Sequence, residues 1–166
     1  MKTHSQKIAV AAMFAALACV ATMIIKIPTP LKGYVNLGDC IVLLCGSILS
    51  PAYAFLAAGI GSALADVLSG YMVYAPITFL IKGVMALVTV FLFKAIDKKG
   101  LKQPTKILPL VLAEIIMVGG YFIFEGILYG FAPSAANIPA NAIQGVAGIV
   151  FGFVLIKAFE KIKLFK

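Results

Sequence analysis

The sequence predicts an all-α integral membrane protein, built as a bundle of six transmembrane helices. Hydrophobic residues make up 63% of the chain and charged residues only 12%, whereas a soluble domain has roughly 25% charged residues. The mean hydropathy is +1.09. Because a helix needs about 20 residues to cross a bilayer, the 166 residues allow about six spans with short loops. We therefore expect residues 1–166 to form one six-helix membrane domain, with spans at roughly 8–25, 38–49, 52–68, 76–93, 107–128 and 140–159.

The first predicted span, 8–25, is rich in alanine and ends before a Pro-Thr-Pro breaker at 28–30. Small residues spaced four positions apart give a helix a face that another helix can approach closely. Two such pairs are Ala11 with Ala15 and Ala12 with Ala16. The neighbouring helix could belong to this chain's own bundle or to another protein, and the sequence favours neither.

The second span is short, and Ser50-Pro51-Ala52 predicts a tight turn into the third. The third span contains Gly59-Ile60-Gly61-Ser62-Ala63-Leu64. This stretch lacks the third glycine and the strand–helix context of a dinucleotide-binding loop, so it indicates close helix packing instead. Asp66 ends the span on the same side of the membrane as the start of the second span.

The fourth span begins with Pro76, which suits the first turn of a helix. Lys82 lies about two turns inside this span, where a charge needs compensation. The fifth span carries two carboxylates, Glu114 and Glu125. A polar connector containing Gly and Pro, at 130–139, is expected to precede the sixth span.

All positive side-chain charges are lysines, and their distribution predicts the topology. With six spans, eleven of the 14 lysines fall on the side that holds both termini. Two, Lys26 and Lys32, fall on the opposite side, and Lys82 lies within a span. The positive-inside rule then places both termini in the cytoplasm. This distribution explains the net charge of +8 through topology rather than nucleic-acid binding, and we expect a multi-pass protein of the bacterial plasma membrane.

Polar groups from five of the six predicted helices fall at one depth, just below the outer surface. Lys82 needs a partner at this depth, and Asp39 or Glu125 could provide it. A structural ion pair that only locks the bundle is the alternative. The turn Tyr34-Val35-Asn36-Leu37-Gly38-Asp39 could either cap the second helix or line a site. We predict a substrate-binding pocket formed by Tyr34, Asn36, Asp39, Tyr74, Lys82, Tyr121, Glu125, Asn141 and Gln144.

Motifs typical of catalysis or of metal binding are absent from the sequence. It has no Walker loop, no Gly-x-Ser-x-Gly and no His-Glu-x-x-His, and its one histidine is His4. Cys19, Cys40 and Cys45 lie in apolar runs and are expected to be buried thiols. No cleavable signal peptide is evident, because the first apolar run is too long. We expect a site that binds rather than catalyses, without a metal or a cofactor.

Several segments carry a family resemblance. They are the Ala-rich first helix, the turn at 34–39, the run Gly61-Ser62-Ala63-Leu64-Ala65-Asp66 followed by Ser69-Gly70-Tyr71, and Tyr74-Ala75-Pro76 with Ile81-Lys82-Gly83. Together they resemble the substrate-binding S component of an energy-coupling factor (ECF) vitamin transporter. The likeness covers most of the chain and is most specific over 34–83. The riboflavin-type branch, which includes proteins for pyridoxine and hydroxymethylpyrimidine, is the most similar.

The resemblance implies a binding subunit without an ATPase of its own. The loop 27–37 would act as the gate over a vitamin bound near the outer surface. The first helix would dock onto a transmembrane scaffold subunit, and two ATPase subunits on that scaffold would drive transport as the S component topples in the membrane. The docking residues would be Ala11, Ala12, Ala15 and Ala16. The chain has no Trp, in contrast to branches whose pockets use Trp.

The residues leave the substrate and two other functional classes open. Lysine, carboxylates, amides and tyrosines suit a small, polar, hydroxylated heteroaromatic ring, with pyridoxine or hydroxymethylpyrimidine first and riboflavin second. One alternative is a small intramembrane enzyme acting on lipid, with Asp39, Asp66, Glu114 or Glu125. The other is an ion-coupled carrier, for which Glu114 is the carboxylate nearest the midplane. A purified S component should carry a vitamin and copurify with ATPases, whereas an enzyme or a carrier should do neither.

Overall fold

The computed structural model describes residues 3–29, 33–98 and 103–160, and within them it shows six α-helices and a small antiparallel hairpin. The predicted all-α membrane bundle is confirmed. The elements, in chain order, are α1 (His4–Ile24), β1 (Lys26–Pro28), β2 (Tyr34–Asn36), α2 (Asp39–Ile48), α3 (Pro51–Leu68), α4 (Ala75–Lys98), a 3₁₀ turn (Gln103–Lys106), α5 (Ile107–Tyr129) and α6 (Phe131–Glu160).

Helix length separates α2 from the other helices. Among the described residues, five helices are long and apolar enough to cross a membrane, and α2 is a shorter apolar helix. Its ten residues rise about 15 Å, which is roughly half of a 30 Å hydrocarbon core. The helix therefore does not by itself cover the second crossing that was expected at 38–49.

The hairpin accounts for the missing length of α2. Thr29 Oγ1 accepts a hydrogen bond from Asn137 Nδ2 at 3.3 Å, whereas the Asn36 backbone N–H donates to Gln144 Oε1 at 2.8 Å. Asn137 and Gln144 are two turns apart on α6, or about 10 Å. Thr29 is paired with Gly33 across the hairpin, so residues 33–36 lead the chain inward by about this distance before α2 begins.

The start of α2 is fixed by a local turn and by close packing on α1. Asn36 Oδ1 accepts a hydrogen bond from the Gly38 backbone N–H at 2.8 Å, which is a common side-chain-stabilised turn. A Cβ on Gly38 would lie 2.0 Å from Thr22 Oγ1, so a side chain there would collide with α1. Asn36, rather than Asp39, thus shapes the entry to the helix, and the carboxylate of Asp39 is available for another role.

The connector expected at 130–139 is helical from its second residue. Gly130 adopts φ +94°, which reverses the chain after α5 within a single residue. Ser134 Oγ then donates to the Phe122 carbonyl at 2.7 Å and ties the first turn of α6 to α5. Pro139 lies inside α6 rather than before it. A helix within a membrane bundle tolerates proline because neighbouring groups can satisfy the freed backbone, so the Gly/Pro composition was a misleading loop signal.

Helix α2 occupies the centre of the bundle. Its residues from Asp39 to Gly46 are all buried. A Cβ on Gly46 would lie 2.7 Å from the Ala86 carbonyl of α4, and one on Gly152 would lie 3.1 Å from Leu43 Cδ1. These close approaches hold α2 against α4 and α6 and fix the position of Asp39 at its first turn.

The small residues of α1 divide between two faces. A Cβ on Gly61 of α3 would lie 2.3 Å from the Ala15 carbonyl, so α1 and α3 are in close contact along this side. Ala11 and Ala15 are half-buried against the core, whereas Ala12 and Ala16 are exposed. The pair Ala11 and Ala15 therefore packs against the chain's own α3, and the pair Ala12 and Ala16 faces outward.

Both described ends of the chain lie at the same end of the bundle. Nδ1 of His4, at the start of α1, lies 3.0 Å from the phenol oxygen of Tyr53 in the first turn of α3, and the ring of Phe159 at the end of α6 lies 6.2 Å from that of Phe14 of α1. Near them, Lys106 Nζ lies 2.7 Å from Glu160 Oε1 and 3.9 Å from Asp97 Oδ1. The cytoplasmic orientation of this end stays a prediction. The lysines of the topology argument that lie outside the described residues are Lys2, Lys32, Lys99, Lys102, Lys161, Lys163 and Lys166.

Candidate functional site

A polar cavity lies between the hairpin and the ends of α3, α4, α5 and α6. Its free volume is about 30 Å³, which is on the order of one or two water molecules. Most of its wall consists of polar side chains, in contrast to the apolar exterior of the bundle. The residues that line it are Thr29, Gly33, Tyr34, Asn36, Asp66, Tyr74, Thr78, Tyr121, Glu125, Asn141 and Gln144.

The hairpin covers this cavity and is held by hydrogen bonds from both of its strands. The phenol of Tyr34 donates to Asp66 Oδ1 at 2.6 Å, and its ring lies 4.6 Å from that of Tyr71. Lys26 Nζ donates to Ser69 Oγ at 2.9 Å. Burial, followed by the hydrogen bond to the Asp66 carboxylate, raises the pKa of Tyr34 above its ordinary value. The phenol therefore keeps its proton and stays a donor to Asp66.

A buried ion pair lies beneath the cavity. Lys82 Nζ pairs with Asp39 Oδ1, and the two side chains are 3% and 0% exposed. Gln144 Nε2 donates to the second oxygen of Asp39 at 2.6 Å, while Gln144 itself lines the cavity. Asp39 is therefore the partner that Lys82 requires, in preference to Glu125. Lys82 Nζ also lies 5.5 Å from the ring centroid of Tyr121, so this ring forms part of the cavity wall above the ion pair.

The wall opposite the Tyr34 side is organised around Glu125. Asn137 Nδ2 donates to both carboxylate oxygens, at 3.0 and 3.1 Å. The phenol of Tyr74 donates to Glu125 Oε1 at 3.3 Å. These donors fix the orientation of the carboxyl group, and neither of them supplies a positive charge. Tyr121 and Thr78 complete this side, with their hydroxyl oxygens 3.1 Å apart.

Seven of the nine predicted site residues line the one cavity. They are Tyr34, Asn36, Tyr74, Tyr121, Glu125, Asn141 and Gln144. The other two, Asp39 and Lys82, form the ion pair below it, because their side chains satisfy each other across α2 and α4. That these nine residues contact a substrate stays a prediction.

Five residues of the site were not predicted from the sequence. Asp66 was placed at the correct depth but was not assigned to the pocket, and Thr78 lies one helical turn before Lys82 on the same face of α4. Both positions could therefore have been found from helical spacing. Asn137 lay in the stretch interpreted as a connector. Thr29 and Gly33 lie in the hairpin, where no periodic pattern marks the side that faces inward.

The cavity wall carries two carboxyl groups and no basic side chain among its described residues. The two carboxyl groups, those of Asp66 and Glu125, face the cavity. Oδ2 of Asp66 is buried and has no hydrogen-bond partner among the described residues. Within the same residues there is no group of three His, Cys, Asp or Glu side chains that could hold a metal ion. The arrangement suits recognition of a polar ring by carboxylates, amides, hydroxyls and aromatic faces.

Two relatives match most of the chain. A protein of Pyrococcus woesei, described as an uncharacterized protein in a gap 3' region, is 36% identical over 134 residues, covering 80% of this chain and 87% of that protein. The thiamine precursor transporter HmpT of Lactococcus lactis subsp. cremoris (strain MG1363) is 26% identical over 162 residues, covering 94% of this chain and 89% of HmpT.

A solved structure and a family model cover nearly the whole chain. The structure of the S component of a bacterial ECF transporter matches with a TM-score of 0.68 and 23% identity, covering 97% of this chain and 99% of that one. This likeness shows a shared fold. The model of the family "ECF-type riboflavin transporter, S component" matches residues 2–161. The resemblance identified from the sequence is thus confirmed, and the chain belongs to the S components of the ECF-type riboflavin transporter family, which are membrane proteins of vitamin uptake.

Proposed function

We propose that this S component binds hydroxymethylpyrimidine, a small aminopyrimidine, with pyridoxine as the next candidate and riboflavin after it. The observation that carries the proposal is the pair of cavity-facing carboxylates, Asp66 and Glu125, in a wall without a described lysine. Such a wall needs a ligand that donates hydrogen bonds or carries positive charge. Similarity to a thiamine precursor transporter over 94% of the chain supports the same choice.

The donor pattern of the substrate distinguishes the candidates. An aminopyrimidine presents an exocyclic amine beside a ring nitrogen, and when that nitrogen is protonated the two N–H groups match the two oxygens of one carboxylate. Its hydroxymethyl group can bond to an amide such as Asn141. Tyr74 and Tyr121 provide aromatic faces on which the ring can stack. The flavin ring of riboflavin presents mainly carbonyl and imine acceptors at its polar edge, which two carboxylates would repel.

Binding requires the cavity to enlarge, because about 30 Å³ is much smaller than any of these rings. The hairpin is the element that can yield. It is held at the Tyr34–Asp66, Asn36–Gln144, Lys26–Ser69 and Thr29–Asn137 hydrogen bonds rather than by a buried apolar face. A few such bonds contribute on the order of 1 kcal/mol each, so outward movement is accessible. This movement fits the gate that the family resemblance implies for the loop 27–37.

The alanines of α1 are proposed to couple the chain to its transport machinery. The S-component family implies a transmembrane scaffold subunit and two ATPase subunits as partners, so that ATP hydrolysis takes place outside this chain. Ala12 and Ala16 are exposed, whereas Ala15 meets Gly61 of α3. We infer that Ala12 and Ala16, rather than the other pair, present the face on which a scaffold helix approaches closely.

Binding measurements on paired variants test the substrate. Purified protein in detergent is titrated with hydroxymethylpyrimidine, pyridoxine and riboflavin, using wild type, Asp66→Asn, Glu125→Gln and the control Glu160→Gln on the far end of α6. We expect hydroxymethylpyrimidine to bind most tightly. Each site variant should lose roughly tenfold to a hundredfold in affinity, because a hydrogen bond to a charged group contributes about 1.5–3 kcal/mol. Preference for riboflavin, or equal binding by all four proteins, would reject the proposal that Asp66 and Glu125 bind the substrate.

A further inference from the structure

Glu114 differs from every other buried carboxyl in the described part of the chain. The residue is 4% exposed, and neither of its carboxyl oxygens has a hydrogen-bond partner among the described residues. The other buried carboxyls, each of which accepts at least one hydrogen bond, are Asp39, Asp66 and Glu125. Glu114 does not line the polar cavity, so the proposed binding role leaves it without a function.

Glycines of α6 bring this carboxyl next to the ion pair under the cavity. A Cβ on Gly148 would lie 2.5 Å from Glu114 Oε1 and 2.9 Å from Asp39 Cβ. A Cβ on Gly145 would lie 3.2 Å from Glu114 Cβ. The absence of side chains at these two positions therefore lets α5 present Glu114 beside Asp39, within the same buried region.

Two carboxyls in this region share one ammonium group. Lys82 pairs with Asp39, which also accepts a hydrogen bond from Gln144. Lys82 acts on Glu114 only at longer range, and among the described residues Glu114 has no ion-pair contact and no hydrogen-bond donor. An ionised carboxylate without either is costly in a membrane interior, and such a group takes up a proton instead. Glu114 is therefore the carboxyl at which a bound proton would relieve the excess negative charge of this cluster.

The groove beside Glu114 opens toward the lipid, away from the polar cavity. It lies between α5 and α6 and has a volume of about 420 Å³. Ile115 and Val146 in its walls are 60% and 62% exposed. Apart from Glu114, its lining is entirely apolar or small, and it comprises Val111, Ile115, Val118, Gly119, Ala142, Gly145, Val146 and Ile149.

We propose that Glu114 is a proton-binding site reached from the lipid side through this groove, and that its protonation keeps the Lys82–Asp39 pair intact beneath the substrate cavity. When Glu114 loses its proton, a second negative charge lies beside Asp39 and competes for the ammonium of Lys82. Gln144 links Asp39 to the cavity, so the change reaches the substrate site. Substrate affinity then falls as pH rises.

The groups that face Glu114 limit what else could titrate with it. From α2 they are Asp39 and the thiol of Cys40, and from α4 the ammonium of Lys82. Helix α6 contributes Gly145 and Gly148, which do not titrate. The thiol of Cys40 also loses its proton as pH rises. Comparison of wild type with Glu114→Gln is therefore needed to assign the pH dependence to Glu114.

Chemical labelling tests the proton and its access route without any substrate. N,N'-Dicyclohexylcarbodiimide is apolar and reacts with protonated carboxylic acids, and the carboxyl group adds across one C=N bond and retains the whole reagent after rearrangement. With the protein in lipid nanodiscs, we expect Glu114 to gain the mass of one reagent molecule. The rate should decrease as pH rises, and Glu114→Gln should remove the label. Failure to label Glu114, or a rate independent of pH, would overturn the proposal.

Affinity measurements test the link to the cavity, and they alone rest on the proposed function. Hydroxymethylpyrimidine is titrated between about pH 6 and pH 9, a range in which ordinary glutamates with pKa near 4.3 are already ionised. Where Glu114 titrates, wild type should lose up to about tenfold in affinity per pH unit beyond any loss in Glu114→Gln, because substrate binding is then coupled to the uptake of one proton. Equal pH dependence would refute the link. Failure of Glu114→Gln to fold would refute the protonated state that it mimics.

Discussion

Replacement of Lys82 by methionine separates a structural role from direct substrate contact. The substitution removes the ammonium group and leaves Asp39, whose side chain is 0% exposed, with the hydrogen bond from Gln144 as its one remaining partner among the described residues. Breaking a buried pair in this way costs about 3–5 kcal/mol. For a chain of 166 residues, each kcal/mol shifts the melting temperature by roughly 2–4 °C. We therefore expect Lys82→Met to melt roughly 6–20 °C below wild type in detergent.

Two matched variants make this measurement decisive. Lys106→Met removes a lysine that bridges Asp97 and Glu160 at the partly exposed end of the bundle. It should cost about 1 kcal/mol or less, because exposed pairs contribute little. The double variant Lys82→Met with Asp39→Asn removes both charges and should recover most of the lost stability. Replacing both members of a buried ion pair by uncharged residues often changes the free energy of unfolding little.

The assay is thermal unfolding of the purified protein, followed by substrate titration of each variant that stays folded. An unchanged melting temperature for Lys82→Met, together with a large loss of affinity, would refute the reasoning. It would place Lys82 in contact with the substrate instead of beneath it. Failure of the double variant to recover stability would show that the ion pair is not the reason for the loss.

Three further predictions concern the cavity, the docking face and the topology. Asn36→Ala and Asn141→Ala should each weaken substrate binding by about 1–3 kcal/mol, because each leaves a buried polar group unpaired. Titration calorimetry measures the loss, and unchanged affinity would remove that residue from the site. Ala12→Trp and Ala16→Trp should abolish uptake but retain binding, whereas the exposed control Val154→Trp on α6 should transport normally; normal uptake by both alanine variants would contradict docking at this face. Cysteines introduced near each terminus should resist membrane-impermeant labelling of intact cells, and labelling of either would contradict the cytoplasmic orientation.

The bundle was predictable because its signals are local. Runs of apolar residues of membrane-crossing length, separated by Pro, Gly and Lys, mark most helix positions without tertiary information. Pro139 is a position where the sequence predicts a loop incorrectly, because a segment of loop composition can be helical where neighbouring helices satisfy the backbone. The short length of α2 depends on how far the hairpin extends along α6, which no sequence pattern gives.

The site was predictable in its composition more than in its geometry. A lysine inside a span needs an acidic partner, so the existence of the Lys82 pair followed from the sequence. Asp39 and Glu125 were equally suitable by depth, and only the packing of α2 against α4 distinguishes them. The same packing moves Lys82 and Asp39 out of the cavity wall, whereas Asp66 reaches the wall from the end of α3. Side-chain partnership between helices is set by tertiary contacts, which helical spacing does not encode.

The substrate carried by the purified protein tests the central claim most directly. The protein is purified from cells grown in medium that contains hydroxymethylpyrimidine, pyridoxine and riboflavin in equal amounts, and native mass spectrometry identifies the ligand that is released. The cavity-facing carboxylates Asp66 and Glu125 predict hydroxymethylpyrimidine, with little or none from Glu125→Gln. Release of riboflavin, or the same ligand in the same amount from Glu125→Gln, would contradict the assignment of these carboxylates to the substrate site.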